Sequence, residues 1–119
     1  MGVQGPVGGI PSSPRNLAAY APPAAAGTPA SIQLSWEEDA DNESGFTVER
    51  SANGTTWSLL ETVLSPNLTS WSDSSAAVDQ LYFYRVRATN SSGASRFSNL
   101  ASALRQLPVT RVRDRKSVV

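Results

Sequence analysis

The sequence predicts an all-β protein, a single antiparallel sandwich of seven strands. Short runs of alternating apolar and polar residues recur between clusters of turn-forming residues, and none of them has the spacing of an amphipathic helix. A strand that is apolar on one side needs a second layer against which to bury that side. In a chain of 119 residues, seven such segments at short spacing indicate two packed sheets.

Seven segments have the residue pattern of strands. They are residues 16–20, 31–36, 45–51, 57–63, 69–73, 81–90 and 95–103. Apolar and polar residues alternate most clearly in the second, third and sixth segments, with the period of a half-buried strand. This alternation predicts the inward side chains Ile32, Leu34, Trp36, Phe46, Val48, Tyr82, Tyr84, Val86 and Ala88. Asn53-Gly54 separates the third and fourth segments and is a strong signal for a hairpin turn.

Several short motifs follow one another in a definite order along the chain. They are Pro14-x-Asn16-Leu17, Ile32-x-Leu34-Ser35-Trp36, Gly45-Phe46-Thr47-Val48-Glu49-Arg50-Ser51, Asn53-Gly54 with Trp57, Tyr82-x-Tyr84-Arg85-Val86-x-Ala88-x-Asn90, and Gly93-x-Ser95-x-x-Ser98-Asn99. In this order they resemble the fibronectin type III family over residues 12–104. The resemblance implies an immunoglobulin-like sandwich, and its particular form resembles bacterial-type modules from secreted multidomain proteins.

One position departs from the family pattern. Ala76 stands where the family usually has a leucine, six residues before the first tyrosine of the sixth strand. If the small side chain leaves space in the core, Val78 or Leu81 is expected to fill it through a slightly shifted packing.

The composition divides the chain into three parts. Residues 1–11 are rich in Gly and Pro and predict a flexible linker. Residues 12–104 contain the strand-like segments and predict the domain itself. Residues 105–119 carry five of the ten basic residues and one of the ten acidic residues. They predict a basic tail or linker without regular structure.

The composition also argues against several classes of function. The chain has no histidine and no cysteine, so it lacks the commonest general base, the commonest metal ligand and any thiol nucleophile. We therefore expect neither catalysis nor a cofactor. Ten basic and ten acidic residues cancel, so bulk charge gives no reason to expect a nucleic-acid partner. Three prolines interrupt the longest uncharged stretch, residues 16–36, which argues against membrane insertion.

The loop after the second strand is strongly acidic. Within it, Asp39, Asp41 and Glu43 place carboxylates at alternate positions, a pattern that suggests a weak calcium site. The segment lacks the glycine and the distal glutamate of an EF-hand loop, and the alternative is a solvated loop between strands.

Two predicted loops are candidates for contact with a ligand. The residues expected to face it are Glu38, Asp41, Asn42, Asn90, Ser91 and Ser92. Four asparagines, Asn42, Asn53, Asn67 and Asn90, also begin Asn-x-Ser/Thr sequons. They are glycan acceptors only if the source is eukaryotic and secretory, and asparagine is common in turns for reasons of its own.

The three tryptophans suggest a second kind of site. Aromatic rings can stack on sugars, and a carbohydrate site of this kind requires that Trp57 or Trp71 be exposed. The alternative is that all three, Trp36 included, pack in the sandwich. The sheet face that bears Thr47, Glu49, Arg85 and Arg87 is a further candidate for contact with a ligand; the alternative, which the alternating charges favour, is that Glu49, Arg85 and Arg87 form cross-strand pairs on a solvated surface.

The resemblance implies a non-catalytic interaction, adhesion or spacer module of a larger extracellular or cell-surface protein. An accessory carbohydrate-binding module beside a glycoside hydrolase domain is the alternative. Its expected partners are an unidentified protein or polysaccharide and the neighbouring domains of the same parent chain. The isolated domain is expected to be a monomer.

Overall fold

The computed structural model describes residues 9–23 and 31–106. Within these ranges the chain is all β, with no helix and therefore no helix that can span a membrane. The strands are β1 (Arg15–Tyr20), β2 (Ile32–Glu37), β3 (Gly45–Ser51), β4 (Ser58–Val63), β5 (Ser70–Asp73), β6 (Leu81–Asn90), β7 (Gly93–Ala94) and β8 (Ala101–Leu104). The predicted linker and tail lie mostly outside the described residues.

The strands form two antiparallel sheets that pack as a sandwich. One sheet has the order β1-β2-β5, and the other has β4-β3-β6 with both β7 and β8 paired to β6. The predicted hairpin at Asn53-Gly54 is confirmed, since β3 and β4 are antiparallel neighbours and Gly54 has a φ of 80°. A left-handed φ of this kind is easily adopted by glycine.

The structure has eight strands in place of seven because a two-residue strand, β7, lies before the last predicted strand, of which only residues 101–103 belong to a strand, β8. Residues 95–100 leave the regular ladder although they stay bound to β6. The hydroxyls of Ser95 and Ser98 accept hydrogen bonds from the backbone amides of Ala88 and Val86, at 2.9 and 3.1 Å. Two side-chain oxygens thus take the place of backbone carbonyls, and regular pairing resumes only at β8.

The core lies between the two sheets. Ile32, Leu34 and Trp36 enter it from one sheet, and Phe46 and its neighbours enter it from the other. All predicted inward residues are buried except Tyr82, which is half-buried and packs at the edge of the core. The alternation therefore predicted the buried face of each of these strands correctly.

The expectation for Val78 and Leu81 is wrong. Ala76 itself is buried in the core, whereas Leu81 is 43% exposed and Val78 is not part of the core cluster. The reason is the alternation of β6, because Tyr82 faces inward and its neighbour Leu81 must face outward. The backbone amide of Ala77 donates a hydrogen bond to the Tyr82 hydroxyl at 3.3 Å, so the tyrosine packs beside this turn.

Candidate functional site

The acidic loop does not gather its predicted calcium ligands. Asp39 accepts a hydrogen bond from Arg15 on β1, Asp41 is exposed, and Glu43 is buried. Across residues 9–23 and 31–106, no three acidic side chains lie close enough together to hold a metal ion. The three carboxylates therefore have three different environments.

Glu43 lies instead beside Glu38. One Glu43 oxygen, Oε2, accepts a hydrogen bond from the backbone amide of Asn67 at 2.8 Å. The other oxygen, Oε1, is buried and has no hydrogen-bond partner among the described residues, and the same holds for Oε1 of Glu38. Burial and the adjacent Glu43 carboxylate raise the pKa of Glu38. The pair is thus electrostatically unfavourable when both groups are ionised.

We expect the substitution Glu38→Gln to stabilise the domain at neutral pH, by about 0.5–1 kcal/mol. The glutamine is uncharged, and its amide can donate to the unpartnered Glu43 oxygen. Because the pKa of Glu38 is raised in the folded state, protonation of Glu38 favours folding. Its stabilising effect is present at acidic pH and disappears as the pH rises through the folded-state pKa.

The gain from Glu38→Gln should therefore be largest at neutral pH and should shrink toward pH 4. Chemical denaturation across this pH range measures it. Asp41→Asn is the matched control, because it removes a loop carboxylate that is exposed. Equal gains from the two substitutions would show that general charge reduction, and not the buried pair, is responsible.

Two predicted ligand-facing residues form hydrogen bonds with the N-terminal segment. The side-chain amides of Asn42 and Asn90 both donate to the carbonyl oxygen of Gly9, each at 3.0 Å. Asn90 also donates to the backbone oxygen of Asn42 at 3.1 Å. These amide nitrogens are the atoms to which a glycan would be attached. A glycan replaces one of the two amide hydrogens, so glycosylation of Asn90, which donates twice, would remove one of its two hydrogen bonds.

The remaining predicted loop residues differ in exposure. Asp41 and Ser91 are exposed, whereas Glu38 is half-buried beside Glu43. The backbone amide of Ser92 donates to Asn90 Oδ1 at 2.8 Å, which closes the turn after β6. The loops at this end of the sandwich thus have contacts that stabilise the fold.

None of the three tryptophans is strongly exposed. Trp36 is buried, and its ring lies 5.7 Å from that of Phe46. Trp71 is half-buried against the core. Trp57 is half-buried as well, with the guanidinium of Arg85 4.3 Å from its ring centre. The condition for carbohydrate stacking on Trp57 or Trp71, an exposed ring, is therefore not met.

The outer face of the β1-β2-β5 sheet carries an open cleft of about 380 Å³. Its exposed lining side chains are small or uncharged: Ala18, Tyr20, Gln33, Ser35, Ser70 and Ser72. Tyr20, at 57% exposure, is the aromatic ring available here to solvent. Hydroxyl and amide groups around an exposed ring suit a neutral, hydroxylated ligand.

The outer face of the other sheet carries a stacked group of charged and aromatic side chains. Arg85 donates two hydrogen bonds to Glu49, at 2.7 and 2.9 Å, which confirms this predicted cross-strand pair. Its guanidinium lies between two rings, 4.3 Å from the centre of Trp57 and 3.8 Å from that of Phe97. The guanidinium of Arg87 also lies near this ring, 4.5 Å from the centre of Phe97.

Sequence reasoning did not detect this stacking. Phe97 lies in the segment after β7 that leaves the ladder, where strand alternation cannot predict the direction of a side chain. The feature of the sequence that could have indicated the position of Phe97 is the pair of serines on either side of it, Ser95 and Ser98. Their hydroxyl contacts with β6 hold the segment so that the intervening Phe97 covers the arginines.

A polar cluster inside the sandwich is built around Asp73, which is 1% exposed. Its carboxylate accepts hydrogen bonds from the Tyr84 hydroxyl at 2.7 Å, from Arg50 at 2.9 Å, and from both the hydroxyl and amide of Ser75. Burial acts to raise the pKa of Asp73, but these hydrogen bonds outweigh it and hold the pKa below its usual range. The cluster is a satisfied structural network.

No protein-family model matches the chain, and no curated protein does. Solved structures do match. The chain is similar to a Fn3-like protein from Clostridium thermocellum, with 23% identity and a TM-score of 0.63 over 82% of this chain and 97% of that one. A structure of consecutive titin domains matches with 20% identity and a TM-score of 0.65, over 82% of this chain and 33% of the titin fragment.

A β-1,2-glucanase from Parabacteroides distasonis also contains a similar region. Identity is 21% and the TM-score 0.61, and the match covers 83% of this chain but 13% of the glucanase. The chain thus corresponds to one domain of the larger proteins and to nearly the whole of the small Fn3-like protein. Together with the two antiparallel sheets and their strand order, these matches show that the chain has the fold of a fibronectin type III domain.

Proposed function

We propose that this chain is a non-catalytic spacer and interaction module of a larger extracellular or cell-surface protein. The observation that carries the proposal is the position of the two ends of the described domain. The chain enters the sandwich at one end and leaves it at the other, an arrangement that suits domains joined in a row.

Strand β6 gives the scale of this separation. Gly9 is bound by Asn90, at the last residue of β6. At the other end, Leu104 of β8 pairs with Leu81, the first residue of β6, and the carbonyl of Arg105 accepts a hydrogen bond from Asp79. A strand of ten residues spans about 30 Å. Entry and exit are therefore separated by about the length of the domain.

The size of the similar proteins supports a modular role. The matching titin fragment and the glucanase are both much longer than this chain, which covers 33% and 13% of them. In such chains a domain with its ends at opposite poles adds its own length to the assembly. Neighbouring domains of the same parent are accordingly its first expected partners.

Tandem repeats of the full chain test the spacer role. We expect the maximum dimension from small-angle X-ray scattering to increase by about 30 Å or more with each added copy. Tandems that collapse side by side, with dimensions that grow as those of a compact particle, would contradict it. The control is a set of repeats joined by an added Gly/Ser linker. It measures how much of the maximum dimension comes from flexible connections alone.

A second candidate function, accessory carbohydrate binding, is favoured by the cleft beside Tyr20. Retention of the protein on insoluble neutral polysaccharides measures carbohydrate binding. If the cleft is the binding site, we expect the substitution Tyr20→Ala to abolish this retention. Trp57→Phe is the control, because that ring lies on the other sheet beneath Arg85. Absence of retention on every neutral glycan tested would remove this candidate.

A further inference from the structure

Two arginines of β6 lie on the outer face of the β4-β3-β6 sheet, and each stands directly opposite a residue of β3. Arg85 pairs in register with Glu49 of β3, and Arg87 pairs in register with Thr47. Residues two apart on a strand share a face, so both pairs project to the same side of the sheet. We refer to Thr47, Glu49, Arg85, Arg87 and Phe97 as the arginine face.

In the first pair the arginine charge is neutralised. Glu49 accepts two hydrogen bonds from Arg85, and both side chains are largely buried from solvent, with exposures of 15% and 25%. The rings of Trp57 and Phe97 hold the guanidinium from its two sides. The position opposite this arginine is thus occupied by a carboxylate.

In the second pair the equivalent position has no carboxylate. Thr47 stands opposite Arg87, and within residues 9–23 and 31–106 no acidic group lies within ion-pair distance of Arg87. The Nε atom of Arg87 and the hydroxyl of Thr47 are both buried and have no hydrogen-bond partner in the part of the chain that the structure describes. The next residue across the sheet is Thr62 of β4, which is also uncharged.

Arg87 is nevertheless held in place. Its guanidinium lies 4.5 Å from the centre of Phe97, whose position is set by the Ser95 and Ser98 contacts with β6. A cation that is already ordered loses less conformational entropy when it binds an anion than a free surface arginine does.

We propose that Arg87 is the anchor of a binding site for an acidic segment of a protein partner. A glutamate or aspartate side chain of the partner would occupy, beside Arg87, the position that Glu49 occupies beside Arg85. The Thr47 hydroxyl is buried, so the partner carboxylate would accept hydrogen bonds from the terminal guanidinium nitrogens of Arg87. A carboxylate is favoured over other anions because the neighbouring pair has this geometry already, with the same ring as support. The inference rests on the proposed interaction role and specifies its partner chemistry.

Binding of a fluorescently labelled octaglutamate peptide to the full chain, followed by fluorescence anisotropy at low salt, tests the site. We expect Arg87→Gln to weaken binding about fivefold or more. The matched control is Arg96→Gln, which removes an exposed arginine and should change affinity less than about twofold.

A second variant distinguishes loss of binding at Arg87 from loss of binding caused by misfolding. Thr47→Glu places a carboxylate opposite Arg87, as Glu49 stands opposite Arg85. We expect it to abolish peptide binding while the melting temperature stays the same or rises. No binding by the unmodified chain, or equal losses with Arg87→Gln and Arg96→Gln, would overturn the proposal.

Heparin as a competing probe distinguishes the source of the anion. Binding of heparin through Arg87 in the absence of peptide binding would overturn the assignment to a protein partner in favour of a sulfated polysaccharide. The scattering of tandem repeats does not depend on Arg87. Failure of this site therefore leaves the spacer role intact, and failure of the spacer role leaves the peptide measurement valid.

Discussion

Replacing Asp73 by alanine should lower the free energy of unfolding by about 3–5 kcal/mol. The substitution leaves the Tyr84 hydroxyl and the Arg50 guanidinium without the carboxylate that both of them bind inside the sandwich. Removal of one partner from a buried charged network costs far more than loss of an exposed pair, because the remaining groups stay desolvated. Equilibrium urea denaturation at neutral pH measures the loss.

Tyr84→Phe is the matched control for this network. It removes one hydrogen bond to Asp73 and keeps the ring in the core, so it should cost about 1 kcal/mol. A loss from Asp73→Ala no larger than that from Tyr84→Phe would show that the carboxylate does not organise the cluster.

The same network predicts a pH dependence of stability. Because the pKa of Asp73 is lowered in the folded state, its contribution is present above the unfolded-state pKa, near 3.8. It is lost as the pH falls through the still lower folded-state pKa. The difference in stability between the unmodified chain and Asp73→Ala should therefore narrow in strong acid. The opposite sign is expected for Glu38, whose pKa is raised.

Replacing Gly45 by alanine should destabilise the domain by about 2–3 kcal/mol. A Cβ atom at this position would lie 2.3 Å from the backbone oxygen of Val63 and 3.0 Å from the Cα of Leu64. Both are backbone atoms, so β3 and the end of β4 would have to move apart. Thermal unfolding followed by circular dichroism measures the effect.

Gly54→Ala is the comparison for Gly45→Ala, because Gly54 is constrained by its backbone conformation and not by neighbouring backbone atoms. Its φ of 80° costs about 1–2 kcal/mol for an alanine, but the nearest atoms to a new Cβ lie 3.7 Å away on the Phe83 ring. If Gly45→Ala proves the milder of the two, the close approach of the backbones at Val63 is not a constraint on stability.

The strand pattern was predictable where a strand has one buried face. Ile32, Leu34 and Trp36 alternate with polar residues because β2 packs against the core on one side and meets solvent on the other. The Asn53-Gly54 turn was also predictable, because few residue pairs tolerate the required backbone conformation. These features depend on local chemistry, which is visible in consecutive residues.

The contacts of polar residues were less predictable. Asn42 and Asn90 are predicted to face a ligand, and nothing in the sequence indicated that both also donate hydrogen bonds to the carbonyl of Gly9. These residues are separated by 33 and 81 positions from Gly9, and an asparagine in a loop has the same local pattern whichever partner it finds. Glu43 was grouped with Asp39 and Asp41 because of their spacing in the sequence. In the structure it lies beside Glu38 and accepts a hydrogen bond from the backbone amide of Asn67.

By itself the sequence determined the all-β architecture, the inward face of the clearest strands, the central hairpin and the cross-strand pair of Glu49 with Arg85. Each of these follows from side-chain alternation or turn chemistry within a few residues. Only the tertiary structure decided that Phe97 covers Arg85 and Arg87, and that Arg87 stands opposite a threonine. Such features require the register of strands distant in the chain, which the packing of the two sheets establishes.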